Sequence, residues 1–330
     1  MTASGRLTAG IIGAGWIGRQ HVASLARRED VAVGAVCDVD PDRAAALGET
    51  VGAQIFGDWQ EMLDAGGLDM LWVCTPPLGH RAPALAAFEL GIPVYLEKPV
   101  ARTLEDARAI AGAAEERRAI CAIGYQWHSL EMLDELRAAL DGQSIGYLLG
   151  VSIGSTTSRS WFLDRAAGGG NLLERGSHHI DLVRTVAGEA RAVQAAASRI
   201  SLSQHVGDID DAVTVTMELE SGAIATLALA WTRDELPSVY SLDVIATDAW
   251  YRLDLDPDFR LSGVGGGKRV EFSSAEHPFE RSVTRFLEAV REGDPGRVFC
   301  TPADATRTLA VAVAAEQALA SGETVEVENH

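Results

Sequence analysis

The stretch GGGNLLERGSHHID, residues 168–181, gathers a glutamate, two adjacent histidines and an aspartate. Such groups can move protons, or simply cap and pack a helix. With Asn171 as N-cap and Gly188 as stop, Leu172, Leu173, Gly176, Ile180, Val183 and Ala187 share one face of a helix. Glu174, His178, Asp181 and Thr185 share the other, at spacings of four, three and four. His179 falls at the edge of the apolar stripe. The spacing predicts chemistry for His178 and packing for His179. Adjacent histidines do not share a helical face, so no metal is expected here. The competing reading makes Glu174 a capping-box acid, with His178 and Asp181 on a solvated face.

A lysine offers a second reactive group. In VYLEKPV, Glu97 and Lys98 follow a strand at Val94–Leu96, and Pro99 restricts the backbone before it. A lysine in a cleft there can donate to a substrate oxygen, and burial lowers its pKa. An exposed ion pair is the alternative. In WVCTPPLGH, Thr75 and Pro76 form a rigid turn after the Met70–Cys74 strand, with His80 as a structural or cofactor-lining residue. Weaker substrate candidates are Trp127 and His128 in GYQWH, Arg159 and Trp161 before the glycine run, and Trp231, paired with Arg233 at a strand end. Core or surface loop is the equal alternative for these.

GIIGAGWIGRQH holds G-x-G-x-x-G at Gly13, Gly15 and Gly18, with Trp16 and Ile17 inside the motif, between a strand and a helix. Gly13 makes the turn, Gly15 admits a pyrophosphate to the backbone, and Gly18 lets helix and strand pack closely. Exposed N–H groups at the helix start then hold phosphate. Asp38 ends the next strand twenty residues after Gly18, placed to accept from an adenosine ribose. Its charge repels a 2′-phosphate and favours NAD. Arg43 could partner such a phosphate, which keeps NADP as the alternative. A helix cap before Pro41 is the competing role for Asp38.

These residues need a frame. Apolar runs at Thr8–Ile12, Val31–Cys37, Met70–Cys74, Val94–Leu96 and Cys121–Tyr125 alternate with helical patterns, which predicts a doubly wound parallel α/β sheet over residues 1–125. Beyond it, a helix near Leu130–Leu140 precedes strands at Tyr147–Ser155, Val193–Ile200, Ala212–Glu220, Ala223–Thr232 and Val239–Ala246. The pair 212–220 and 223–232 meets at a Ser-Gly turn. Val213, Val215, Met217 and Leu219 alternate with polar residues, so residues 126–330 are expected to hold an antiparallel sheet with one covered face. Helices at Phe279–Glu292 and Pro302–Ala320 follow.

Size and charge bound the partners. A chain of 330 residues suits two domains. Its formal charge of −19 argues against nucleic acid and anionic membranes. Cys37, Cys74, Cys121 and Cys300 are widely spaced, as buried free thiols would be. No leader pattern or membrane-length apolar run stands out, and a cytoplasmic protein is expected.

The glycine motif, Asp38, CTPPLGH (74–80), EKP (97–99) and GGGNLLERGSHHIDLVRTVAG (168–188) occur in order and together resemble the Gfo/Idh/MocA oxidoreductases. FLEAVREGDP and the PADATRTLAVAVAAEQALASGETVEV ending extend the resemblance over nearly the whole chain. It implies an N-terminal Rossmann domain, a C-terminal α/β domain with an open, largely antiparallel sheet, and homo-oligomers, dimer or tetramer, packed through that sheet. It also implies that helix 302–320 packs back on the first domain, and that hydride is transferred on sugars, polyols or cyclitols. The family's motif usually carries an aspartate and, four residues on, a histidine. Carried over with the EKP lysine, the reacting set is Lys98, Glu174 and His178. The histidine would accept the hydroxyl proton, its ordinary pKa of ~6.5 suiting reversible transfer. Lys98 would hold the same oxygen, and the acid would orient the imidazole or share the proton. Glu174 is one methylene longer than the usual aspartate, which bears on substrate specificity. The alternatives are an NAD-dependent glycoside-cleaving enzyme working by transient oxidation, with no net reduced nicotinamide, and a non-catalytic sensor, which needs no proton acceptor.

Overall fold

The computed structural model describes residues 5–157, 159–200, 208–233 and 236–328. In chain order the elements are β1 (Leu7–Ile12), α1 (Trp16–Ala26), β2 (Val31–Cys37), α2 (Pro41–Val51), β3 (Gln54–Phe56), α3 (Trp59–Ala65), β4 (Met70–Val73), α4 (Arg81–Glu89), β5 (Val94–Leu96), α5 (Leu104–Arg117) and β6 (Cys121–Ile123). There follow α6 (Met132–Ala139), β7 (Ile145–Ser155), α7 (Arg165–Gly168), a π-helical segment Asn171–Gly176, α8 (Ser177–Ala187), β8 (Ala190–Ser198), β9 (Ala212–Leu219), β10 (Ile224–Thr232), β11 (Val239–Ala246), β12 (Ala249–Asp256), β13 (Arg260–Gly265) and β14 (Lys268–Ser273). The chain closes with α9 (Pro278–Glu292), α10 (Pro302–Ser321) and β15 (Val325–Glu326).

Two compact units emerge: residues 1–124 with 282–304, and 125–281 with 305–330. The first is built on a parallel sheet in the order β3-β2-β1-β4-β5-β6, the arrangement of a Rossmann fold. Its central strands are buried on both faces, which explains their unbroken apolar runs. Trp72 of β4, Tyr95 of β5 and Phe286 of α9 meet with ring centroids 5.1–5.8 Å apart. Tyr95 Oη also shares a 2.9 Å hydrogen bond with Ser282. It is thus α9 whose buried face completes the first unit. From Ala305 the last long helix counts with the second unit, where Thr308 bonds Asp181.

The second unit holds nine strands in the order β14-β13-β12-β11-β7-β10-β9-β8-β15. β7 and β10 run parallel, and the other pairs are antiparallel. Val213, Val215, Met217 and Leu219 are buried on one face. Gly150 of β7 lies under His179 of α8, where a Cβ would come within 2.9 Å of the imidazole, so the missing side chain makes room for the helix. The four cysteines are free and buried. Burial pushes the Cys37 thiol up to about 11. No helix among the described residues is long and apolar enough to cross a membrane.

Candidate functional site

The glycine turn is built by what a side chain would hit. Gly13 has φ +101°, and a Cβ there would lie 2.7 Å from the Cys74 carbonyl carbon. A Cβ on Gly18 would be driven into the Gly13 carbonyl oxygen. Gly15 is different: it precedes α1 and has nothing within 4 Å of its would-be Cβ. The open space over Gly15, beside the first turn of α1, makes a cradle suited to a pyrophosphate. Trp16, 58% exposed, stands at its rim, and Ile17 is half-buried behind it.

Asp38 is half-buried at the end of β2. Its Oδ2 accepts from Ala14 N–H at 2.7 Å and its Oδ1 from Asp40 N–H at 2.9 Å. The carboxylate props the glycine turn and keeps lone pairs for a further donor. The helix cap is a separate residue, Asp40, which accepts from Asp42 and Arg43 N–H groups, a role worth about 1 kcal/mol. Arg43 is turned to the same Asp40 at 3.0 Å.

Thr75 is half-buried and Pro76 exposed in the turn after β4. Buried His80 lies beneath, with Nε2 2.8 Å from the Thr75 carbonyl and Nδ1 3.3 Å from that of Val100. Burial lowers its pKa, and the ring latches the turn between those two carbonyls. Glu97, a candidate cofactor contact from its place at the end of a strand, is turned into the fold. It is only 7% exposed, with Oε1 2.8 Å from His21 Nε2 and Oε2 accepting the Lys98 N–H at 3.2 Å. A buried carboxylate needs such partners, which is why it turns inward. Lys98 follows it, half-buried in the first unit.

The remaining candidates stand in the second unit. The expected single helix from Asn171 is two segments. Gly169 and Gly170, with φ of +71° and +67°, lead into the π-helical turn at Asn171–Gly176, and α-helical spacing holds only from Ser177. Gly170, not Asn171, takes the N-cap position. Asn171 is 2% exposed, and neither amide atom has a protein partner. Glu174, 5% exposed, lies on no solvated face.

The two histidines separate. His179 is sealed, its Nε2 3.1 Å from the Ser241 carbonyl, and burial lowers its pKa to about 4. His178 is half-exposed, edge-on to Tyr125 at 5.8 Å and tilted against Trp127 at 5.2 Å. Trp127 is itself core, packed edge-on to His179 at 4.8 Å.

Asp181 and His128 depart from the expected arrangement. Asp181 is fully buried, accepting from Thr308 at 3.1 Å, with His128 Nδ1 3.2 Å from its Oδ2. His128 Nε2 lies 3.2 Å from Thr185 Oγ1. His128 thus lies against α8, close to both Asp181 and Thr185. Trp231 is 7% exposed and sits in a cluster with Phe162 and Ile209, against which Trp161 packs. Arg175 lies over the Trp231 ring, at 4.4 Å, a cation that the tryptophan's neighbourhood in sequence does not announce. Arg159 is exposed in the loop before α7. Sequence reasoning placed His21 on a helix but missed its pairing with Glu97, and it missed Arg175 and the Asp181–Thr308 contact. Each is a long-range partner with no local pattern to announce it.

Residues 7–125 match a family model described as "Oxidoreductase family, NAD-binding Rossmann fold", and residues 134–252 one described as "GFO/IDH/MocA C-terminal domain". The chain is 31% identical over 252 residues to D-glucoside 3-dehydrogenase of Escherichia coli, covering 68% of this chain and 70% of that protein. It is 26% identical over 331 residues to 1,5-anhydro-D-fructose reductase of Ensifer adhaerens, covering 97% and 98%. A levoglucosan dehydrogenase solved with NADH and levoglucosan shares the fold, with a TM-score of 0.86 at 19% identity over 98% of this chain and 100% of that one.

Proposed function

This chain belongs to the Gfo/Idh/MocA family of NAD-dependent oxidoreductases, and we propose that it oxidises a CH–OH carbon of a sugar, polyol or cyclitol, or reduces the matching carbonyl. The observation that carries the reading is the division of labour at His178 and His179, one imidazole half-exposed between aromatic walls and its neighbour sealed in the core.

NAD, when bound, supplies the hydride acceptor. The backbone at Gly13, Gly15 and Gly18 and the start of α1 would hold its pyrophosphate, and Asp38 would accept from a ribose hydroxyl. Asp38 also sets a negative charge where NADP would carry its 2′-phosphate, and Arg43 is occupied by Asp40. Thr75, Pro76 and Trp16 would border the nucleotide.

His178 takes the substrate hydroxyl proton, and Lys98, the lysine carried over from the family's motif, serves as the donor that stabilises developing charge on substrate oxygen. Glu174 orients the imidazole or shares its proton. Tyr125 and Trp127 flank the His178 ring and limit its orientations. Lys98→Ala or His178→Ala then abolishes turnover while NAD binding stays within a few-fold of wild type. Unchanged turnover in both variants sinks the assignment. Net formation of reduced nicotinamide during turnover separates this reading from glycoside cleavage.

The assembly reading follows from register. Ile224, Tyr147, Ile245, Trp250 and Val264 lie directly opposite one another across five strands. Four of them are exposed large hydrophobics, Trp250 at 62%. A contiguous exposed apolar row marks an interaction surface, and a homo-oligomer through this sheet buries it. Light scattering of Trp250→Glu tests it: wild-type mass in the variant would exclude this face.

A further inference from the structure

Arg175 takes no part in that scheme, yet it is the most unusually placed cation of the second unit. It follows Glu174 on the π-helical turn, half-buried where β7 and β10 end and β11 begins. Its guanidinium lies over Trp231 at 4.4 Å and Tyr240 at 5.1 Å. Nη1 donates to the carbonyl oxygens of Gly154 at 3.4 Å and Ala230 at 3.2 Å, and Nη2 donates to the Tyr240 hydroxyl at 2.6 Å. All of these partners are neutral, and no carboxylate among the described residues pairs with it. Arg184, buried in the same unit, shows the usual solution: Glu189 holds it at 2.7 and 2.8 Å. Burying a cation without a counter-charge is costly, and burial lowers the Arg175 pKa.

The hydrogen-bond inventory shows what is missing. Three of the five N–H positions of a guanidinium are used, leaving Nε–H and one Nη2–H. Those two nitrogens share the edge that grips a carboxylate through two parallel bonds. The surroundings are shaped for the cation to lie there: a Cβ on Gly154 would come within 2.6 Å of Arg175 Nη2. The buried Trp231 indole N–H beside it also lacks a protein acceptor.

We propose that Arg175 is an anion subsite that binds a carboxylate of the substrate, making the preferred substrate a sugar acid rather than a neutral polyol. The inference rests on the dehydrogenase reading, since the subsite adjoins Glu174 and stands three positions before His178 in the chain.

The test pairs compounds that differ only in the acid: D-glucuronate with D-glucose, D-galacturonate with D-galactose, and D-gluconate with D-glucitol. Initial rates with NAD are expected to give kcat/KM at least tenfold higher for one or more acids than for the matched neutral compound. Arg175→Gln should raise KM for that acid at least tenfold and leave KM for the neutral partner unchanged, while Arg175→Lys recovers part of the loss. Calorimetric titration of the NAD-loaded wild type with the same pairs needs neither turnover nor a folded variant. Equal affinity for acid and neutral compound, or no binding of any acid, overturns the subsite. Neutral sugars oxidised without any preference for acids would do the same and leave the dehydrogenase reading standing. An acid bound more tightly than its partner but not oxidised would support the subsite and sink the dehydrogenase reading.

Discussion

His21 Nε2 lies 2.8 Å from Glu97 Oε1, with the imidazole fully buried and the glutamate 7% exposed. Tyr95 at 4.9 Å and Trp72 at 6.2 Å wall the ring, so little water competes for the pair. Glu97 Oε2 also accepts the Lys98 N–H, so one carboxylate ties α1 to the end of β5 and fixes the backbone that carries Lys98. Removing one partner of a buried hydrogen bond typically costs about 1–3 kcal/mol. Glu97→Ala is expected to lose that much in urea unfolding, with kcat falling more than KM rises as Lys98 loses its anchor. Replacing both partners, His21→Phe with Glu97→Leu, should recover part of the stability but not kcat. Wild-type stability in Glu97→Ala would show that the pair does not hold the fold.

The three motif glycines are not equivalent. Gly15 has φ −70° and open space where a Cβ would go, whereas Gly18 abuts the Gly13 carbonyl. Gly15→Ala should keep the wild-type melting temperature and weaken NAD binding at least tenfold, because the methyl occupies the approach of the pyrophosphate. Gly18→Ala should lower the melting temperature before it affects anything else. Calorimetry of NAD binding beside thermal unfolding separates the two, and a destabilised Gly15→Ala with normal NAD affinity would refute the cradle.

Much of this was legible because the first sheet is parallel and buried on both faces. Its strands read as apolar runs, and the glycine turn and Asp38 sit at fixed offsets from them. β3 and α3 escaped notice because Gln54 and Ile55 are exposed and α3 is only seven residues long. β12 to β14 escaped because glycines and charges interrupt them. The π-helical turn is the more instructive miss. A 3.6-residue period assigned Glu174 and Asp181 to a polar face, yet both are buried, since residues 171–176 follow a wider turn and Asp181 faces Thr308 and His128. Periodicity separated His178 from His179 because both belong to the regular part of α8.

Asp38 links cofactor choice to local structure. Its two oxygens accept the Ala14 and Asp40 N–H groups, which an asparagine can satisfy only singly. Asp38→Asn should therefore cost about 1–3 kcal/mol of stability, the penalty of an unsatisfied buried donor. The same change removes the charge that repels a 2′-phosphate, and the ratio of kcat/KM for NAD over NADP should fall at least tenfold. An unchanged ratio would exclude Asp38 from cofactor selection.

His179 makes stability depend on acid. Its imidazole protonates near pH 4 in the fold, against 6.5 ordinarily, because burial opposes the charge. Between those values the unfolded chain binds more protons than the folded one, so falling pH favours unfolding. The contribution is fully present above pH 6.5, is lost as pH falls toward 4, and amounts to about 3 kcal/mol across that window. In His179→Gln the side-chain amide can still donate to the Ser241 carbonyl but cannot titrate. Urea unfolding of both proteins from pH 7.5 to 4 should show the wild type losing about 3 kcal/mol relative to the variant, most of it below pH 6. Curves that stay parallel across that range would mean that the imidazole is not sealed against protons.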